Sequence, residues 1–189
     1  NKFKFKYEFI SEQKKYDIVA KLIYNNNVVG WFQGRSEFGP RALGNRSILA
    51  NPTHSKMKYI LDLYIKQRDR YRPYAPVVLE EYSKKYFDID GTSPVMMSGG
   101  KVLSKKFKAI THVDGSARIQ TLSKSDNIIF YNLIKSFQKI SGFPIILNTS
   151  FNLPGEPIVE TPVDALNSFR NGSLPYLCLG NYLVSREER

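Results

Sequence analysis

Cysteine and histidine are scarce in this sequence. Its 189 residues include one cysteine, Cys178, and two histidines, His54 and His112, which lie far apart. A single cysteine excludes an internal disulfide framework and is typical of a reducing compartment. Cys178 lies within the apolar run 176–179, which favours a buried thiol over a nucleophile. No residues have the spacing of a metal site, so the sequence predicts no resident metal.

Long apolar runs and a secretion signal are also missing. No run approaches the roughly 18–20 residues needed to cross a bilayer. The first residues alternate lysine with aromatic residues, unlike the apolar stretch of a signal peptide. We therefore expect a cytoplasmic protein. Because no methionine starts the sequence, we expect a piece of a longer protein, with residues 1–15 a linker or edge segment and residues 16–189 a single domain.

Acidic residues are outnumbered by basic ones. The sequence has 28 Lys and Arg residues against 17 Asp and Glu residues, which gives a formal net charge of +11. Such an excess implies an anionic partner, which could be nucleotide phosphates, a nucleic acid or an acidic neighbouring domain. Many of the lysines lie outside the motifs described below and are expected to form a solvated face.

The apolar periodicity predicts an α/β fold, because strand patterns alternate with helix patterns along the chain. Two predictions concern the middle of the sequence. The turn Asp114-Gly115 predicts a hairpin of residues 109–113 and 118–122. Residues 88–104 are the most loop-like stretch and could be a mobile lid or a linker. The other predicted strands cover residues 28–32, 46–50, 73–79, 143–147, 176–179 and 182–185, and the predicted helices cover residues 16–24, 53–66, 80–87, 125–141 and 161–172.

The most informative stretch is residues 34–46, GRSEFGPRALGNR. Its three glycines and one proline disfavour regular structure, and three arginines accompany them. Guanidinium groups held in a glycine-rich loop suit a multiply charged oxyanion such as phosphate. A basic surface turn is the alternative. Arg35 and Arg41 are the candidate ligands in this loop.

Three more dense motifs follow: KQRDRYRPYAP at residues 66–76, THVDGSAR at 111–118 and LNTSFN at 147–152. Together with residues 34–46, they resemble the C-terminal domain of the O-carbamoyltransferases, the family that carbamoylates nodulation factors and antibiotics. The resemblance extends from about residue 28 to the C-terminus. It implies a twisted, open mixed sheet of the YrdC-like type with flanking helices, and a ligand in a basic groove.

The resemblance also implies a reaction and its site. Carbamoyl phosphate and ATP would meet in this domain and yield a carbamoyl adenylate, with Mg²⁺ carried by the nucleotide. A catalytic role is implied for four residues, Lys66, Arg72, Arg118 and Ser150. The full set of expected ligand-binding residues is Arg35, Arg41, Lys66, Arg72, Arg118, Asn148 and Ser150.

The residue types themselves are compatible with these roles. The point charge of Lys66 and the fork of Arg72 can hold different oxygens of a phosphate or carbamate, although Lys66 could simply be a solvated helix end. Asn148 and Ser150 follow a predicted strand, where α/β sheets place ligands, with a side-chain-bonded turn as the alternative. Ser150 has no evident base partner, so a nucleophilic role is poorly supported. His112 is expected to be a structural or positioning residue.

The sequence departs from the family pattern in two places. Asp69, Tyr71 and Tyr74 replace Glu, Phe and Phe, which are mild changes. The family often has an arginine after an Asp-Pro pair. This chain has Thr53 after Asn51-Pro52, which weakens any role for a cation there.

In the family an N-terminal actin-like domain holds iron through histidine and aspartate and receives the acceptor hydroxyl. We therefore expect that domain to be a partner of this chain and to complete the transfer.

Two other functions fit the charge. A nucleic-acid-binding module fits the net charge and the alternation of basic and aromatic residues at 70–74, but the arginines are dispersed over separate loops. A docking module would use the lysines outside the motifs to bind its N-terminal partner. The sequence favours the adenylate-forming enzyme over both, with nucleic acid an unlikely partner and no membrane expected.

Overall fold

Ten strands and five helices form the part of the chain that the computed structural model describes, residues 5–69 and 71–186. Arg70, the first residue of the alternating basic and aromatic run 70–74, lies outside the described residues, as do residues 1–4 of the predicted N-terminal segment. The strands are β1 Phe5–Phe9, β2 Val29–Phe32, β3 Arg46–Ala50, β4 Ala75–Leu79, β5 Phe87–Asp88, β6 Ser98–Val102, β7 Ser116–Leu122, β8 Ile145–Ser150, β9 Tyr176–Leu179 and β10 Tyr182–Arg186. The helices are α1 Glu12–Tyr24, α2 Met57–Ile60, α3 Ser83–Tyr86, α4 Ile128–Ser141 and α5 Pro162–Asn171; α2 continues into a π-helical turn at Leu61–Ile65, and a 3₁₀ turn at Glu80–Tyr82 precedes α3.

The strands form one mixed sheet in the order β1-β10-β9-β2-β3-β8-β4-β7-β6-β5. The pairs β2/β9 and β4/β7 are parallel, and the other pairs are antiparallel. The predicted α/β class with a mixed sheet and flanking helices is therefore confirmed. The strand β8 lies sixth in this order, so its predicted central position is confirmed as well. The edge strands are β1 and β5. The helix α1 begins at Glu12, four residues before the predicted helix.

Two buried clusters lie on opposite faces of the sheet. Neighbouring residues of one strand alternate between them, as Val77 and Val78 do, because successive side chains of a strand point to opposite faces. One face is covered by α1 and α4, which pack against each other and bury Trp31. The other face is covered by α2 and α5, with Met57 and Phe169 in its core. The sheet is thus the middle layer of three.

The ends of two helices follow the predicted signals. Thr161 caps α5, its hydroxyl accepting from the backbone N–H of Asp164, whose carboxylate in turn accepts from the backbone N–H of Thr161. Pro162 occupies the first turn, where its missing N–H is not needed. Gly142 ends α4 in the left-handed conformation, at φ 77°.

The predicted hairpin is wrong. Residues 109–113 form no strand, and β7 pairs instead with β6 on one side and with β4 on the other. The strand β6 lies within residues 88–104, so the lid or linker prediction is also wrong for Ser98–Val102. Gly100 marks close packing rather than a loop, because a Cβ there would lie 2.1 Å from the carbonyl oxygen of Asp88.

Among the described residues, no helix has both the length and the apolar character that crossing a bilayer requires.

Candidate active site

One carboxylate closes the loop of residues 34–45. Oε1 of Glu37 accepts hydrogen bonds from the backbone N–H groups of Leu43 at 2.6 Å and Asn45 at 2.7 Å. The loop therefore folds back on itself and carries Arg41 to the cleft described below. A lone acidic residue among arginines gives no recognisable pattern, so the sequence did not reveal this role of Glu37.

The last arginine of the motif has a structural role. Arg46 is buried in β3, and its guanidinium donates to the carbonyl oxygens of Gln33 at 2.9 Å, Gly34 at 3.1 Å and Glu160 at 3.2 Å. It also stacks on Phe32, 3.6 Å from the ring centroid. Because these contacts occupy both terminal nitrogens of the guanidinium, Arg46 holds the base of the loop rather than a ligand.

A sharp turn separates two cationic side chains of the second motif. The π-helical turn Leu61–Ile65 closes with a hydrogen bond from the backbone N–H of Lys66 to Leu61, 2.7 Å long. Gln67 then adopts a left-handed conformation with φ 42°, which is rare for a residue other than glycine and typical of functional sites. As a result, Lys66 and Arg68 bind different neighbours although only one residue separates them.

Arg68 is held by a buried carboxylate. Its Nε lies 3.7 Å from Oδ1 of Asp62, and its guanidinium carbon lies 4.4 Å from the centroid of the Tyr74 ring. Asp62 also accepts a hydrogen bond from the Tyr74 hydroxyl at 2.7 Å and pairs with Lys58 at 2.8 Å. Burial and the hydrogen bond to Asp62 raise the pKa of Tyr74, so its hydroxyl keeps its proton.

Three arginines meet at a cleft of about 120 Å³, which we call the arginine cleft. Arg41 comes from the first motif, Arg68 from the second and Arg118 from β7. Among the described residues, no carboxylate lines this cleft, and none lies within salt-bridge distance of Arg41 or Arg118. The lining residues are Pro40, Arg41, Ala42, Arg68, Pro73, Tyr74, Ala75, Met96, Arg118, Asn148, Thr149 and Ser150.

The crowding of cations is visible at Arg118. Burial, followed by the charges of Arg41 and Arg68, lowers the pKa of Arg118. Its Nε is buried and has no hydrogen-bond partner within the described part of the chain. A doubly charged anion in the cleft would supply both the missing acceptor and the missing counter-charge.

Asn148 forms the floor of the cleft. It is 1% exposed, and its Nδ2 donates to the carbonyl oxygen of Ala42 at 3.0 Å and to Oε1 of Gln120 at 2.9 Å. These bonds use both protons of the amide and fix its orientation. Its Oδ1 is left buried without a partner among the described residues. Asn148 therefore adds a buried, unpaired acceptor to a residue that lines the cleft.

Asn148 and Ser150 belong to β8, so the alternative that they form a turn is wrong. Both pair with β3, in which Leu49 lies opposite Asn148 and Ser47 lies opposite Ser150. The backbone pairing extends the strand three residues beyond its apolar run. Their side chains consequently stand on a rigid strand beside the loops.

A second cavity of about 310 Å³ lies beside the first, and we call it the lysine hollow. Lys66 is 7% exposed, and its Nζ donates to the carbonyl oxygens of Ser150 at 2.9 Å and Asn152 at 3.1 Å and to Oδ1 of Asn152 at 2.8 Å. Burial, with a smaller effect of Arg68, lowers the pKa of Lys66 to about 7. The lining residues are Lys66, Gln67, Arg68, Arg72, Ser150, Asn152, Leu153, Pro154 and Gly155.

Ser150 lines both cavities. Its hydroxyl donates to Oδ1 of Asn152 at 2.7 Å, and Nζ of Lys66 lies 3.4 Å from the same hydroxyl oxygen. Nζ of Lys66 donates to three closer oxygens, so it does not aim a lone pair at the Ser150 hydroxyl. The contacts of Ser150 therefore suit ligand binding better than nucleophilic attack.

The structure divides the predicted site residues between the two cavities. Arg41, Arg118 and Asn148 line the arginine cleft, whereas Arg72 lines the lysine hollow with Lys66. Arg35 is exposed and is not among the residues lining either cavity. Arg68 lines both cavities, and the sequence did not single it out among the basic residues of the second motif.

His112 lies outside both cavities. Asp114 accepts hydrogen bonds from the backbone N–H of Ser116 at 2.9 Å and from its hydroxyl at 2.7 Å, and these bonds lower the pKa of Asp114. The Ser116 hydroxyl proton is thereby used, so Nδ1 of His112, 3.2 Å from that oxygen, is the donor of the pair. Burial lowers the pKa of His112, which is therefore neutral at pH 7. These contacts order the loop that precedes β7, whereas Arg118 lies within β7 itself.

Among the described residues, no group of three or more His, Cys, Asp or Glu side chains could hold a metal ion.

Comparison with known proteins reveals clear relatives. Residues 20–186 match the family model described as carbamoyltransferase C-terminus. Nodulation protein NolO of Bradyrhizobium diazoefficiens is 45% identical over 173 residues, which are 88% of this chain and 32% of NolO. The 3'-hydroxymethylcephem-O-carbamoyltransferase of Amycolatopsis lactamdurans is 36% identical over 179 residues, which are 94% of this chain and 34% of that protein. The chain spans between a quarter and about a third of the length of the curated relatives it matches.

A solved structure confirms the YrdC-like type of fold. Full-length HypF in its phosphate- and nucleotide-bound form matches with a TM-score of 0.59 at 18% identity. The match covers 95% of this chain and 22% of HypF. At this identity the likeness establishes the architecture of the sheet and its helices.

Proposed function

This chain belongs to the carbamoyltransferase C-terminus family, and from that premise we propose that it forms carbamoyl adenylate from carbamoyl phosphate and ATP. The activated carbamoyl group then passes to a hydroxyl acceptor. That transfer takes place in an N-terminal partner domain, where the proposal also places any iron.

The convergence of Arg41, Arg68 and Arg118 carries the proposal. Three guanidinium groups line one small cleft, and no carboxylate of a described residue lines it with them. Cations brought together in this way repel one another, so the arrangement is stabilised when an anion with several acceptor oxygens binds. The relative from Amycolatopsis is named as an O-carbamoyltransferase, and the HypF structure is a phosphate- and nucleotide-bound form. Both observations support carbamoyl phosphate and ATP as the anions.

The reaction requires positioning and charge stabilisation rather than a covalent nucleophile. Water hydrolyses carbamoyl phosphate to carbamate and phosphate. A carbamate oxygen then attacks the α-phosphorus of ATP, the bond from that phosphorus to the β-phosphate bridge oxygen breaks, and pyrophosphate leaves. Fixed guanidinium groups stabilise the charge on the phosphoryl oxygens in both steps. The lack of a base beside Ser150 is compatible with this chemistry.

The cleft residues suit a magnesium–nucleotide complex better than a resident metal. Mg²⁺ prefers carboxylate and phosphate oxygens, and among the described residues the arginine cleft and the lysine hollow are lined by no carboxylate. Mg²⁺ would therefore bind the phosphate oxygens of ATP and arrive with them, neutralising part of their charge. A cytoplasmic location, which the single buried thiol favours, belongs to the proposal.

The test is ATP–pyrophosphate exchange by the 189-residue chain. We expect exchange that requires carbamoyl phosphate, persists in Lys139→Ala and is lost in both Lys66→Ala and Arg118→Ala. Lys139 is an exposed residue of α4, so its variant controls for the loss of one positive charge. Failure of the chain to catalyse exchange or to bind ATP would contradict the proposed function.

A further inference from the structure

Gln120 is buried in β7 but belongs to neither cavity. It is 1% exposed and is not among the residues that line the arginine cleft or the lysine hollow. Its Nε2 donates to the carbonyl oxygen of Leu43 at 2.8 Å, and its Oε1 accepts from Nδ2 of Asn148 at 2.9 Å. Resting on the proposed function, in which Arg41 binds a phosphate group, we propose that Gln120 is a positioning residue that holds Arg41 in the arginine cleft.

The place of Gln120 in the sheet is one that suits an apolar residue. Val77 of β4 lies opposite Gln120 on one side and opposite Ile146 of β8 on the other. Val77 and Ile146 both belong to the buried apolar cluster on that face, as does Leu122, two residues further along β7. Burying an amide in such a row is unfavourable unless its polar atoms are hydrogen-bonded. The two partners of the amide join the sheet to the loop of the first motif, so the polar residue serves that attachment.

Three consecutive carbonyl oxygens that follow Arg41 are each held by a side chain from a different strand. The donors are Asn148 of β8, Gln120 of β7 and Trp31 of β2, and the acceptors are the carbonyl oxygens of Ala42 at 3.0 Å, Leu43 at 2.8 Å and Gly44 at 2.8 Å. Residues 38–40, which precede Arg41, are exposed, and Gly39 adopts a φ of 104°. The position of Arg41 is therefore set from its C-terminal side.

Arg41 needs this support because its neighbours in the cleft repel it. Arg41, Arg68 and Arg118 line one small space, and no carboxylate of a described residue lines it with them. Repulsion among the three charges favours movement of Arg41, on its loop, away from Arg118. Because Arg118 and Gln120 both belong to β7, the hydrogen bond of Gln120 ties the loop of Arg41 to the strand of Arg118. Gln120 thus opposes the separation of the two arginines.

A double-mutant cycle on phosphate binding tests this role, since a residue that acts through Arg41 has no effect once the Arg41 side chain is removed. The affinity for inorganic phosphate is measured by calorimetric titration of the 189-residue chain. We expect Arg41→Ala to weaken binding about tenfold and Gln120→Met about fivefold. In the Arg41→Ala background, Gln120→Met should weaken binding by less than about 1.5-fold, whereas in the Arg118→Ala background it should keep its effect.

Two further variants control for the change of side chain and for folding. Gln13→Met makes the same change at an exposed residue of α1 and should leave the phosphate affinity unchanged. Thermal unfolding shows whether each variant is folded. Gln120→Asn, whose amide is too short to reach both Leu43 and Asn148, takes the place of Gln120→Met in the cycle if that variant does not fold.

The outcomes separate this inference from the proposed function. An equal loss of phosphate affinity from Gln120→Met with and without the Arg41 side chain, or no loss at all, would overturn the positioning role and leave the proposed function intact. A wild type that binds no phosphate would also overturn the positioning role. The expected cycle in a chain that catalyses no carbamoyl phosphate-dependent exchange would instead support the role of Gln120 and contradict the proposed function.

Discussion

The guanidinium of Arg68 lies over the ring of Tyr74, with its central carbon 4.4 Å from the ring centroid. Both side chains are anchored to Asp62, which the Tyr74 hydroxyl reaches at 2.7 Å. Stacking and a shared carboxylate thus fix Arg68, which lines both cavities. The position of Arg68 therefore follows from the folded turn and from its contacts with Asp62 and Tyr74.

Asp62→Asn should destabilise the protein by about 2 kcal/mol, because Lys58 and Arg68 would lose a buried counter-charge. Urea unfolding measures this free energy. The matched control is Asp90→Asn, which removes the same charge from an exposed site. Equal stability of the two variants would contradict the role given to Asp62.

Anion binding in the lysine hollow should weaken as the pH rises through about 7. The pKa of Lys66 is lowered to about 7, so the side chain is charged below that pH and neutral above it. Sulfate is a suitable probe, since it keeps its double charge over this range. We expect the sulfate affinity of the wild type to fall between about pH 6 and about pH 8, and that of Lys66→Arg to stay constant because arginine remains charged.

The same lowered pKa affects stability with a definite sign. An unfolded lysine titrates near 10.4, so between about pH 7 and about pH 10 the unfolded chain binds a proton that the folded chain does not. The contribution of Lys66 to the free energy of unfolding should therefore increase with pH in this interval. Urea unfolding of the wild type and of Lys66→Met isolates the contribution of Lys66 to the free energy of unfolding. The difference in stability between the two proteins should change with pH. A difference that stays constant with pH would contradict the lowered pKa.

Gly44→Ala should destabilise the protein by about 3 kcal/mol or prevent folding. Gly44 has φ 121°, and a Cβ there would lie 2.1 Å from the Phe130 ring, so backbone strain and a steric clash act together. Gly115→Ala is the control, because Gly115 has φ 82° with open space around it and tests strain alone. Thermal unfolding should show the larger loss for Gly44→Ala.

Cys178 should be inert to alkylation in the folded protein. It is fully buried, and burial raises the pKa of its thiol to about 12, so almost no thiolate is present at neutral pH. Iodoacetamide should modify Cys178 at least about 100-fold more slowly in buffer than in urea. Rapid modification of the folded chain would contradict the burial of the thiol.

Much of the fold followed from local signals in the sequence. The apolar runs of β2, β4 and β8 identify buried strands, and Gly142 and Thr161 mark the helix ends where the structure has them. These signals concern neighbours in sequence, which is why they could be interpreted without coordinates.

Pairing between distant segments could not be predicted in this way. Gly99 and Gly100 suggested a loop, yet both lie in β6, and Gly100 lets that strand approach Asp88 of β5 closely. The turn Asp114-Gly115 exists, but the strand that pairs with β7 comes from residues 98–102 instead of the preceding segment. A hairpin signal identifies a turn and does not identify the partner strand.

The candidate site also combines features that the sequence predicts with features that depend on the folded structure. The resemblance predicted Arg41, Arg118, Asn148 and Ser150, and all four line one cleft. The roles of residues inside a motif depended on the folded turn, because Gln67 separates Lys66 from Arg68 by its left-handed backbone. Since no sequence pattern predicts that conformation, the arginine shared by both cavities became visible only in the structure.

The most direct test of the account is to look for the proposed product. The 189-residue chain is incubated with ¹³C-labelled carbamoyl phosphate and ATP, and the quenched mixture is analysed by mass spectrometry. The account predicts carbamoyl-AMP that carries the label, with an equal amount of pyrophosphate, from the wild type and not from Arg118→Ala. Consumption of ATP without labelled carbamoyl-AMP, or labelled product at equal yield from Arg118→Ala, would contradict it.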